Sequence, residues 1–188
     1  MQPGDNDASV TGFAVMVLKS AELGELPFSD MAYKGATAFF DSVTDPVYYD
    51  VGYMIGRKSR CRHKSMVGVA SMYRLFVQKD RKSPKVSGGV RILTENLPAW
   101  RKGDIDFYYW YYGTQVMHHV GGAAWREWNH SVRDVLVDSQ ETSGHQAGSW
   151  EPQGQHDVTG GRLYTTALVT CTLEVYYRHV PIFRQIEL

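Results

Sequence analysis

The chain has 188 residues, 43% hydrophobic and 13% aromatic, which suits a folded unit with a genuine core rather than a disordered segment. Lys plus Arg and Asp plus Glu each number 20, so the formal charge is zero and no net field attracts nucleic acid or anionic lipid. The N-terminus lacks the charged and apolar regions of a signal peptide, and no window approaches the roughly 18 unbroken apolar residues of a transmembrane segment.

Met1-Gln2-Pro3 leads almost directly into the first periodic segment, so the chain is expected to be the C-terminal portion of a longer protein, whose parent could be exported. Val10, Phe13, Ala14, Val17, Leu18 and Ala21 recur at helical spacing, which predicts a first helix with that stripe buried and Gly24 as its stop. Asp5 and Asp7 stand before it. Carboxylates there either cap the helix and complement its dipole, worth roughly 0.5 to 2 kcal/mol, or carry acid chemistry.

Ser29 is positioned to cap a second helix, with Phe28 and Tyr33 forming a hydrophobic staple and Ala32, Ala36, Phe39, Phe40 and Val43 facing inward. Asp45-Pro46 ends it. The basic stretch RKSRCRH (57–63) lies between periodic segments and reads as a solvated loop. Met66, Val69, Ala70, Tyr73, Phe76 and Val77 mark a third helix, and Val86, Val90, Leu93 and Leu97, after Pro84, a fourth.

Asp106 opens a fifth helix containing FYYWYY (107–112), and Gly121-Gly122 separates it from a sixth marked by Ala124, Trp125, Trp128, Val132, Val135 and Leu136. A polar stretch (139–161) precedes a last helix with Tyr164, Ala167, Leu168, Cys171 and Val175 on one face, stopped by Pro181. No alternating strand pattern is present. The expectation is an all-α fold of about seven helices, built as hairpins starting near residues 8, 64 and 106 with a last helix near 160, a helical-repeat array with variable loops.

Cys61 and Cys171 cannot form a multi-bridge framework, and neither has zinc-finger partners; Cys171 reads as a buried small residue. His118 and His119 are adjacent on a helix and diverge, which suits no shared metal. The reading therefore assigns no metal site and no cofactor. No serine sits in a nucleophile-elbow context and no glycine-rich phosphate loop is present.

RDVLVDSQETSGHQAGSW (133–150) resembles the QW motif of squalene cyclases and related terpenoid cyclases. Leu136, Gln140, Gly148 and Trp150 match it; Asp134 replaces a small residue, and the seven residues between Gln140 and Gly148 are a longer spacer than is usual. The resemblance implies a structural role, with Gln satisfying a helix end and Trp packing on it. GDNDASVTGFAVMVLKSA resembles the DxDD segment of squalene-hopene-type cyclases, with Asp5 and Asp7 at its first and third positions and Ala8 in place of its last Asp. That resemblance makes Asp7 the candidate proton donor and Asp5 its companion.

IDFYYWYYGTQVMHHVGG and GGRLYTTALVTCTLEVYYRHVP are similar to the C-terminal hairpins of bacterial proteins carrying prenyltransferase and squalene oxidase repeats. These resemblances imply an α/α toroid, of which residues 1–188 would form a single domain of about half a ring. A closed ring shelters cyclase chemistry from water and half a ring does not. The expected function is thus a non-catalytic binding or scaffold domain; the alternative is a terpene cyclase-like isomerase completed by the rest of a parent chain. Candidate binding residues are Tyr108, Tyr111, Tyr112 and His119, whose rings suit an apolar small molecule and attract developing cations. Exposed end helices would take a protein partner or a second copy.

Overall fold

The computed structural model describes residues 6–56 and 64–178. Among them the fold is all-α: α1 (Ala8–Leu23), α2 (Asp30–Val43), α3 (Lys64–Tyr73), α4 (Pro84–Thr94), α5 (Phe107–Val120), α6 (Gly122–Asp138), α7 (Gln155–Leu173) and the four-residue α8 (Val175–Arg178). The only extended pairings among the described residues are the isolated bridges Asp7–Met54 and Thr44–Val51. None of the helices is long and apolar enough to cross a membrane. Asp5, the 57–63 stretch with Cys61 and Pro181 lie outside the described residues.

The chain divides into two compact units, residues 1–93 and 94–188. The first unit is organised on α3, in which every residue from Ser65 to Tyr73 is buried. A helix without a solvent face needs neighbours all around it, and α1 packs on α3 within this unit. After Tyr73 the helix widens into a π turn (Arg74–Gln78) that ends at Lys79 in the left-handed region.

Arg74 is buried and directed at the C-terminal end of α2. Its guanidinium donates to Thr44 Oγ1 at 2.7 Å and to Phe40 O at 3.4 Å, and lies 3.6 Å from Asp41. Burial pulls the Arg74 pKa down, opposed by the Asp41 carboxylate. A cation placed among the unpaired carbonyls of a helix end offsets both their lost hydrogen bonds and the negative end of the dipole.

α2 follows its sequence signals closely. Ser29 Oγ accepts from Met31 N, the Phe28 and Tyr33 rings meet edge-on at 5.1 Å, and Ala36, Phe39, Phe40 and Val43 are buried. Ala32 is the exception, lying exposed.

α1 departs from its expected orientation. Its buried residues are Ala8, Gly12 and Val15, whereas Val10, Phe13 and Val17 are exposed. Small side chains on the inward face bring the helix close to α3, and close backbone approach outweighs the larger apolar area of the opposite stripe. Gly24 is the stop, as expected, and the turn after it is closed by two further backbone bonds. Leu26 N bonds to Ala21 O at 2.9 Å and Glu25 N to Glu22 O at 3.1 Å, closing the helix with Glu25 in the left-handed region at φ 55°.

Glycine normally occupies that position because a Cβ is strained there. Glu25→Gly is therefore expected to raise unfolding stability by up to about 1 kcal/mol, read as a higher urea midpoint with an unchanged m-value. A lower midpoint would show that the Glu25 conformation carries no strain.

A buried tyrosine face and a tryptophan helix-end clamp

The second unit is organised on α5, buried at Phe107, Tyr109, Trp110 and every position from Tyr112 to His119. Asp106 caps it as expected, accepting from Tyr109 N at 2.9 Å. Two faces of the helix do different things.

One face meets α6. Tyr109 packs edge-on to Trp128 at 5.6 Å, and Trp128 Nε1 donates to Thr114 Oγ1 at 2.9 Å. Gly113 is required by this contact, because a Cβ there would sit 2.4 Å from Trp128 Cζ2. An indole buried in full needs an acceptor for its N–H, and Thr114 supplies it from one turn above Trp110.

The opposite face carries Tyr108, Tyr111, Tyr112, Gln115 and His119, at the i, i+3, i+4, i+7 and i+11 positions of one stripe. The Tyr108 and Tyr112 rings lie 4.9 Å apart, and those of Tyr111 and Tyr112 5.0 Å apart at 78°. Burial raises the Tyr112 pKa above the ordinary phenol range, with a hydrogen bond from Tyr108 acting against it. Tyr164 of α7 lies in the same electrostatic neighbourhood; burial raises its pKa, and the Asp157 and Asp106 charges add to that. Asp157 is itself buried and accepts from Gly154 N at 3.0 Å, fixing the start of α7.

The His118 and His119 rings meet edge-on at 5.4 Å. The His118 ring packs on Trp125 at 5.1 Å, while His119 continues the tyrosine stripe. Among the described residues, no group of three or more His, Cys, Asp or Glu side chains is placed to hold a metal ion.

The four QW-like residues come together at the end of α6. Trp150 is buried, and its Nε1 donates to Leu136 O at 2.7 Å, satisfying a carbonyl of the last helical turn. Gln140 Nε2 donates to Gly148 O at 3.0 Å, closing the intervening loop. That loop is further pinned by paired backbone bonds between Glu141 and the 148–149 segment, and Gly148 takes a φ of 84°. Trp150 N also donates to Thr166 Oγ1 on α7 at 3.3 Å. The division of labour is the reverse of the one expected: Trp satisfies the helix end and Gln holds the loop.

α7 shifts its buried face relative to the periodic reading. Thr165, Val169 and Thr172 are buried, whereas Ala167 is exposed and Cys171 is half-buried. Gly161, at φ 76° and ψ 179°, breaks the helix before this stretch. Threonine tolerates the interior because its hydroxyl bonds back one turn, as Thr172 does to Leu168 O at 2.8 Å.

Asp7 is a helix cap. Its Oδ1 accepts from Val10 N at 2.8 Å and from Ser9 Oγ at 2.6 Å, and its side chain is partly exposed. It belongs to the first unit, whereas Tyr108, Tyr111, Tyr112 and His119 belong to the second. Sequence reasoning assigned no role to Gln115 or Asp157. The i+4 spacing of Gln115 from Tyr111 and to His119 was the available signal. Comparison of the chain with protein-family models, curated proteins and solved structures finds no match.

Replacing Trp150 by Phe keeps the ring and removes the N–H, leaving Leu136 O with only the longer 3.3 Å bond from Ser139 Oγ. The expected cost is about 0.5 to 1.5 kcal/mol of stability, measured by thermal or urea unfolding. An unchanged midpoint would show that the bond carries no net stability.

Proposed function

We propose that the chain is a non-catalytic helical-repeat binding or scaffold domain of the squalene-cyclase and prenyltransferase repeat type, with its hairpins belonging to a partial α/α toroid. The observation that carries this reading is the outward face of α1. Val10 and Val17 are 64% and 69% exposed, Phe13 lies between them on the same stripe, and no charged residue occurs from Ala8 to Leu18. Apolar stripes of this kind on a surface helix mark sites of protein association.

The state of Asp7 supports the non-catalytic side of the reading. Protonating an alkene requires an acid held in a water-excluding chamber, and Asp7 is partly exposed with Oδ1 engaged by two donors at the helix start. The tryptophan clamp supports the repeat type, because Trp150 bonds through its indole to the last turn of α6 and through its backbone N to Thr166 of α7. The partner for α1 is a helical surface of the same uncharged kind, on a second copy or on another segment of a parent protein.

Sedimentation velocity over a concentration series tests this. Self-association is expected for the chain and is expected to be lost in Val10→Glu/Val17→Glu, with helical circular dichroism unchanged. A monomer at all concentrations would contradict association with a second copy. Formation of a cyclised product from squalene or geranylgeranyl diphosphate that disappears in Asp7→Asn would overturn the scaffold reading in favour of a cyclase-like isomerase.

A further inference from the structure

Gln115 is 1% exposed, and its Oε1 has no hydrogen-bond partner among the described residues. A buried acceptor left unpaired is costly, and a leucine of similar size would avoid that cost. It sits one turn beyond Tyr111 and Tyr112 on the tyrosine stripe of α5. Along that stripe the outer residues Tyr108 and Tyr111 are half-buried while Tyr112 and Gln115 are buried, so the stripe runs from the surface to the orphan acceptor. Ring faces present negative electrostatic potential to a cation. Two carboxylates, Asp106 and Asp157, act on Tyr164 beside the same cluster. Aromatic faces, an unmet acceptor and two carboxylates beside Tyr164 share one complement: a positively charged group that also carries a hydrogen-bond donor.

We propose that the Tyr108–Tyr111–Tyr112–Gln115 face of α5 binds a small organic ammonium ion bearing a hydroxyl or N–H, with the cationic head against the tyrosine rings and the donor on Gln115 Oε1. This binding role goes beyond the scaffold reading and does not rest on it. The half-buried Tyr108 and Tyr111 rings rotate outward to admit the ligand, and the unmet Gln115 acceptor is satisfied on binding.

Choline and its neutral isostere 3,3-dimethylbutan-1-ol, titrated into the full chain, separate charge from shape. Choline is expected to bind about tenfold more tightly than the neutral alcohol, as one or two desolvated cation–π contacts would give, and to raise the melting temperature. Gln115→Leu is expected to melt higher than the parent without ligand and to lose most of the choline response. Tyr111→Leu, at a half-buried position, is expected to lose the preference for choline over the alcohol. Equal responses to the two probes, no response to either, or an undiminished choline response in Gln115→Leu would each overturn the proposal.

Discussion

Two helices that are buried almost throughout set the terms for the rest of the molecule. α3 is buried at every residue from Ser65 to Tyr73, and α5 at nearly every residue from Phe107 to His119. Neither can exist as an isolated surface helix, because a helix enclosed on all sides requires packing partners all round. Each unit is accordingly arranged about one such helix, with the amphipathic helices serving as its cover. Polar groups on these central helices must then find partners inside the protein. Thr114 finds Trp128, and in the first unit the buried Arg74 finds the end of α2.

The helices, central and covering alike, are fastened at their ends as well as along their sides. Trp150 donates to the last turn of α6, Arg74 to the last turn of α2, and Asp106 and Asp7 accept at the starts of α5 and α1. Each bond contributes on the order of 1 kcal/mol, more where the group is buried. In a fold whose total stability is roughly 5 to 15 kcal/mol, a few such fastenings decide whether a helix end is ordered. The same logic applies to Asp7, a partly exposed carboxylate engaged at a helix start.

Local signals in the sequence were read well where a single residue type dictates a geometry. Ser29 with Phe28 and Tyr33, and Asp106 before the aromatic run, both follow from capping chemistry. The orientation of α1 was not legible, because periodicity reports that a stripe exists and not whether it faces the core. Gly12 and Ala8, which count for little in a hydrophobicity pattern, decide the packing by allowing close approach. The face of α7 was hidden for the same reason: its buried positions Thr165, Val169 and Thr172 are out of step with the apolar stripe, and two of the three are threonines. Gln115 escaped notice because nothing in a sequence tells a buried glutamine from an exposed one on a helix this aromatic.

The account rests on α5 being the enclosed centre of its unit, while α1 presents an open outer face. Native-state hydrogen exchange measured residue by residue tests this directly. Amides from Trp110 to Met117 are expected to exchange only through cooperative unfolding of the unit, with the full denaturant dependence of that unfolding, and amides of α1 through smaller local openings. Exchange of the α5 amides as fast as those of α1, with little denaturant dependence, would contradict it.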